Sequence, residues 1–265
     1  MSAVRRFLGR TVPPTIFFLV VIGGWYVVSL FVLDEASKFL LPPPHEVVNE
    51  SILDEKVRSD MLAAFWVTAK VAVVGLGIAI VIGSVLAVIM SRAKWLERSF
   101  YPWVILLQTV PILAIVPVIG FWFGFDLFAR VVVVVIIALF PLIINPLHGL
   151  QNVDPGLHDL FTLSNVGGIT RLTKLQFPSA LPDVFIGLQS AAGLAIVGAT
   201  VGDYFFGRGQ IGLGMLLSRY SSRLQSAEML ATVFVACLLG VIAFLLFGAL
   251  GRRIVGAWSP AWGAR

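Results

Sequence analysis

Apolar residues run along this chain in long unbroken blocks, and charged residues gather in the short intervals between them. Six blocks contain no Asp, Glu, Lys or Arg: residues 15–33, 71–91, 99–125, 131–153, 184–202 and 229–251. Each is near or above the ~20 residues that an α-helix needs to cross the hydrocarbon of a bilayer. A membrane β-barrel would show short alternating segments, and a secretory leader would show one short apolar core ahead of a soluble body. The pattern therefore predicts an all-α integral membrane protein with about six transmembrane helices. The spans are expected near 15–33, 65–91, 99–125, 129–150, 184–205 and 229–251, within a single membrane domain covering 1–265.

Composition agrees with this pattern and narrows what the charges are for. Of 265 residues, 58% are hydrophobic and 12% charged, half the charge of an ordinary soluble domain, so a water-facing surface could not be covered. The net charge of +5 does not point to nucleic acid, because the basic residues are scattered between apolar blocks and read as topology. Placing the N-terminus in the cytoplasm puts Arg5, Arg6 and Arg10, then Arg92, Lys94 and Arg98, then Arg252 and Arg253 on the cytoplasmic side. The acid-rich interval after the first span falls outside, as do Arg208, Arg219 and Arg223. Both termini are thus expected in the cytoplasm.

Three connections are longer than turns require. Leu41-Pro42-Pro43-Pro44 lacks donors and disfavours helix at each preceding residue, which predicts a stiff link to a short amphipathic stretch at 47–57. The interval 151–183 is the longest expected on the cytoplasmic side. Its mixture of Leu157, Leu160, Phe161 and Leu163 with Asp154, His158, Asp159 and Asn165 reads as a short helix at the membrane surface. Gly207, Gly209, Gly212 and Gly214 precede Leu216, Leu217, Tyr220 and Leu224, which predicts a loop and an interfacial helix on the outer side.

Little in the chain can do covalent chemistry. It has no G-x-x-x-x-G-K-[ST] phosphate loop, so any role driven by ATP needs a partner chain. His45, His148 and His158 lie on different segments, and Cys237 has no partner and reads as a small core residue, so no metal or catalytic site is expected. Prolines 102, 111, 117, 141 and 146 interrupt spans 3 and 4, either as ordinary kinks or because these helices line a pathway. Gln108, Pro111, Asn145, Gln189 and Asp203 are the pathway candidates, since uncharged amides and carboxylates at membrane depth face the bundle interior. For Asp203 an interfacial cap or ion pair is the alternative. No arginine falls inside an apolar block, which speaks against a fixed cationic site for an anion.

The segment Leu157-His-Asp-Leu-Phe-Thr-Leu-Ser-Asn-Val-Gly-Gly-Ile-Thr-Arg-Leu-Thr-Lys-Leu-Gln-Phe-Pro-Ser-Ala-Leu-Pro182 resembles the EAA coupling motif of ATP-binding-cassette importer permeases. Anchored on Phe177-Pro-Ser-Ala-Leu-Pro182, the alignment sets Asp159 at the acidic position, Leu160 and Phe161 at the two alanines, and Asn165 at the glycine. The ending matches the family well. The bulky residues and the asparagine depart from it, although asparagine also tolerates a left-handed turn. Leu41-Pro-Pro-Pro-His-Glu-Val47, Val110-Pro111, Trp122-Phe-Gly-Phe-Asp126, Phe140-Pro141, Asn145, Gly187-Leu188, Gly202-Asp203 and Gly212-Leu-Gly214 are similar, in order and spacing, to the nitrate, sulfonate, taurine and thiamine-precursor branch.

The resemblance implies a type I importer permease in a bacterial plasma membrane, working with ATPase subunits that bind ATP and Mg and with an extracytoplasmic substrate-binding protein. It also implies a second permease copy, most simply in a homodimer, and no cofactor in this chain. Asp159, Leu160, Phe161, Asn165, Gly167, Pro178, Ala180 and Pro182 become the expected ATPase-coupling residues. Val201-Gly-Asp-Tyr-Phe205 is similar to the V-G-E-[FW] of vitamin and pyrimidine-precursor transporters and leans toward a neutral heteroaromatic nutrient; nitrate, sulfonate or taurine remain alternatives. A passive channel or ATP-independent transporter is the competing class, distinguished by transport without nucleotide.

Overall fold

The computed structural model describes residues 3–259 and Trp262; the side chains of Arg5, Arg6 and Arg10 lie outside the described set. Among the described residues the regular structure is helical throughout. In chain order it comprises α1 (Ala3–Val27), α2 (Pro44–Val47), α3 (Glu55–Arg92), α4 (Lys94–Thr109), α5 (Ile112–Phe123) and α6 (Leu127–Gln151). After these come α7 (Pro155–Leu163), α8 (Gly168–Arg171), α9 (Phe177–Phe205), α10 (Leu213–Ser222) and α11 (Ser226–Val255). Wider π-type turns extend α1 over Val28–Val32, α2 over Val48–Ile52 and α8 over Leu172–Gln176.

Among the described residues five segments are long and apolar enough to cross a membrane: Thr15–Val32, Glu55–Arg92, Leu127–Gln151, Gly168–Phe205 and Ser226–Val255. Taken together α4 and α5 are also long and apolar enough, but they are bent by 100° at their junction, as a broken span or a re-entrant loop would be. The sequence pattern predicts one continuous span over 99–125, and the structure breaks it at Pro111. Val110 takes an extended conformation (φ −63°, ψ 126°), as the residue before a proline prefers, and Pro111 has no N–H with which to continue the ladder. Pro102, Pro117, Pro141, Pro146 and Pro182 lie inside helices without ending them.

Residues 1–62 and 216–234 form one compact unit. In it the proline run is tied to the end of the first helix: Trp25 Nε1 donates to the Pro42 carbonyl (3.0 Å) and Ser29 Oγ donates to the Leu41 carbonyl (2.8 Å). The Tyr26 and His45 rings stack, as do those of Trp25 and Phe234.

Residues 63–215 and 235–265 form the other unit, centred on α6 and α9. These helices run antiparallel along a seam of small residues. A Cβ on Gly149 would meet Ala180 Cα at 2.8 Å, one on Gly187 would meet the Pro141 carbonyl at 2.7 Å, and one on Gly198 would meet Val134 Cα at 3.0 Å. Such close approach supplies the van der Waals contact that holds helices together where lipid offers no hydrophobic contrast. Gly75 and Gly83 of α3 seat it against Val134 and Leu142 of α6 in the same manner. Ala87, Met90, Val104, Ile143 and Leu147 close one core where α3, α4 and α6 meet. At the end of α11, Trp262 folds back against Phe185 and Gly251. Cys237, expected in the core, is instead exposed on α11.

Candidate functional site

Two places in the larger unit carry the residues singled out by sequence. The first is the segment between α6 and α9. Asp154 caps α7 by accepting from the Gly156 N–H (2.7 Å), and Pro155 occupies the first turn, where its missing N–H leaves no bond unmade. The helix closes with a paired C-terminal motif in which Val166 N–H donates to the Phe161 carbonyl (3.1 Å) and Asn165 N–H to that of Thr162 (3.0 Å). Asn165 has φ 51°, the left-handed conformation that glycine takes at this position.

The short helix keeps its apolar side uncovered. Leu157 and Leu160 are exposed, Leu163 is 86% exposed and Ile169 on α8 is 78% exposed, while Asp159 stands exposed among them. Phe161 is half-buried and Gly167 precedes α8. Arg171 NH2 donates to Thr162 Oγ1 (2.9 Å), tying α8 back to α7. Pro178 lies in the first turn of α9, Ala180 is buried against Gly149, and Pro182 is half-buried inside the helix. The segment is thereby fixed to the α6–α9 seam at its exit.

The second place is a buried polar cluster at the opposite end of the same two helices. Arg130, the fourth residue of α6, is 2% exposed, and Asp203, near the end of α9, is 0% exposed. Arg130 NH1 donates to Asp203 Oδ1 (3.0 Å) and to the Gln210 carbonyl (3.0 Å), and NH2 donates to the carbonyls of Phe206 (2.8 Å) and Arg208 (2.6 Å). Thr68 Oγ1 of α3 donates to Asp203 Oδ2 (2.5 Å) and accepts from the Leu213 N–H (2.8 Å). Gly212 and Gly214 lie so close that a Cβ on either would collide with Asp203 or with the Thr200 carbonyl. The planar guanidinium suits this use, since it presents several donors in a fixed fork.

The pathway candidates are spread along the unit. Gln108 and Pro111 stand exposed at the α4–α5 break. Asn145 Nδ2 donates to the Pro141 carbonyl (2.9 Å) on the seam beside Gly187, and Gln189 packs against Gly248 of α11. Asp203 has the ion pair that sequence reading set out as its alternative.

No arginine lies in the core of a span, but the structure buries Arg130 in the first turn of α6. It was missed because it stands one residue ahead of a charge-free block and reads as a flanking charge. A signal was present: in two successive spans joined by one connection, the start of the first and the end of the second lie at one level. A basic residue at 130 and an acidic one at 203 then face each other. Thr68 and the loop carbonyls left no comparable signal.

With this geometry in place, comparison with known proteins defines the class. Residues 79–256 match the family described as the binding-protein-dependent transport system inner membrane component, and the chain belongs to that family. It is 30% identical over 236 residues to the formylaminopyrimidine transport permease protein of Halalkalibacterium halodurans, covering 89% of this chain and 91% of the relative. It is 26% identical over 263 residues to the nitrate import permease protein of Leptolyngbya laminosa, covering 96% and 91% respectively. A riboflavin transport system permease protein of Chloroflexus aurantiacus is 28% identical over 165 residues, covering 62% of this chain and 61% of the relative. The chain is thus a multi-pass membrane permease of the ATP-binding-cassette importer class, whose permease components lack an ATPase site of their own.

Proposed function

We propose that this chain is the membrane-spanning subunit of an ATP-driven importer that receives its substrate from an extracytoplasmic binding protein and passes a small heteroaromatic nutrient into the cell. The observation that carries the reading is the uncovered apolar side of α7, bearing Asp159 and closed by Asn165, on a segment anchored to the main helix pair. A solvated nine-residue helix with three exposed leucines has a natural place in a groove on a partner protein.

In this reading an ATPase subunit holding ATP and Mg receives Leu157, Leu160, Phe161 and Leu163. Closure of two ATPases around nucleotide displaces α7. The displacement passes through Pro178, Ala180 and Pro182 into α9, and across the glycine seam into α6, so that the helix pair moves as one body rather than bending locally. Two permease copies, each with such a segment, would alternate the pathway between its two openings. Both termini lie in the cytoplasm, and the polar cluster at Arg130 lies at the outer end. The relatives named for formylaminopyrimidine and riboflavin transport support the nutrient class. The nitrate import relative, which spans more of this chain, supports an anionic substrate as the second reading.

Asp159→Lys tests the coupling. The variant is expected to insert and accumulate normally while ATP hydrolysis proceeds without matching uptake. Normal transport by Asp159→Lys would overturn the assignment of α7.

A further inference from the structure

The loop 206–212 joins α9 to α10 and passes over the starting end of α6. Its two ends are held by packing: Phe206 is fully buried among Val116, Ile119, Ala129 and Val133, and Leu213 is fully buried as well. Between them residues 207–211 are exposed, and a Cβ on Gly207 or Gly209 would meet nothing within 4 Å. Gly209 takes φ 91°, a conformation open to glycine and strained for a residue with a side chain. The Arg208 guanidinium stands 5.9 Å from the centre of the Phe125 ring, a modest tie.

What gives this exposed stretch a defined path is one side chain. Arg130 donates to the carbonyls of three alternate residues, Phe206, Arg208 and Gln210, and takes its charge partner, Asp203, from the last turn and a half of α9. Carbonyls are present whatever the side chains, so between the packed ends the guanidinium ties the exposed stretch through its backbone, independently of the side chains at 206, 208 and 210. The clamp also shapes what lies beneath. Val67, Lys70 and Val71 of α3, Asp126 and Leu127, and Arg208 to Gln210 of the loop surround a pocket of about 330 Å³ with Arg130 in its wall.

We propose that Arg130 is a positioning residue: it fixes the loop 206–212 as one wall of this pocket, and transport depends on the loop being held there. The pocket has the size of a small-molecule site, with aliphatic walls and Lys70, Asp126 and Arg208 at its lining. Only the transport half of this proposal rests on the importer reading above; the positioning half stands on the geometry alone.

The test uses the full-length chain in lipid nanodiscs. A spin label is placed at Gly207→Cys in a Cys237→Ala background, since position 207 has room for it. Two variants release the carbonyls without leaving an isolated buried charge. Arg130→Lys keeps the ion pair but replaces the fork by a single ammonium, and Arg130→Gln with Asp203→Asn removes both charges. The label is expected to be slow with Arg130 present and at least about threefold faster in either variant, because exposed loops without packing move on the nanosecond scale. Uptake of a formylaminopyrimidine by cells carrying the variants is expected to fall about tenfold, the scale of one lost charge-assisted contact. Equal label mobility in all three proteins would overturn the positioning role. A freed label with uptake within about twofold of the parent would overturn the dependence of transport on it, since a tenfold loss is what one such contact is worth. If the parent takes up no formylaminopyrimidine, the substrate reading fails while the label still decides the role of Arg130.

Discussion

Among the described residues two with side chains occupy the left-handed region, and each ends a helix. At the end of α7 Asn165 has φ 51°, and after α10 Leu224 has φ 57°, with Gln225 N–H returning to the Tyr220 carbonyl. Asparagine tolerates this conformation through its short polar side chain, whereas leucine places its Cβ against the following carbonyl at about 1–2 kcal/mol. Leu224 is also exposed, so little packing offsets that strain. Leu224→Gly should therefore raise stability by about 1 kcal/mol, seen as a higher midpoint of thermal unfolding in detergent. At position 165 the expectation runs the other way. Asn165→Gly should leave coupling intact, while Asn165→Val should fray the turn after α7 and weaken ATPase association, measured by co-purification. Equal retention of the ATPase by both variants would show that the turn geometry is dispensable.

Among the elements, the α6–α9 pair depends on the absence of side chains at chosen levels. Gly198 faces Val134 and Gly202 faces Arg130, with a Cβ on Gly202 reaching Arg130 Cα at 3.2 Å. Gly198→Leu should force the helices apart and lower the yield of folded protein, while the same change at Gly193, where a Cβ meets nothing within 4 Å, should be tolerated. Size-exclusion profiles of the two variants compare them directly. The spans themselves were legible because an apolar run of bilayer length admits few other structures. The helix at 155–163 and its left-handed close were legible because asparagine at a motif glycine has a physical meaning. The 100° break was not, because five other prolines in the same class of helix produce none and only the backbone at Val110 distinguishes Pro111. The Arg130 cluster was legible only in its ion pair, which the matched ends of two successive spans could have shown; its other three partners are backbone carbonyls that carry no sequence signature.

For the molecule as a whole, the uncovered α7 implies an assembly. Gentle solubilisation of the tagged chain should recover a P-loop ATPase in equal amount, identified by mass spectrometry; repeated recovery of the chain alone under crosslinking would shift the reading to a channel. The buried pair also bears on how the protein is made. During synthesis α6 reaches the membrane before α9 exists, and Arg130 must wait for a counter-charge that lies 73 residues further along. An unpaired arginine is costly to bury, so until α9 is made the start of α6 is expected to keep Arg130 hydrated, and the burial of these two helix ends is coupled through the pair.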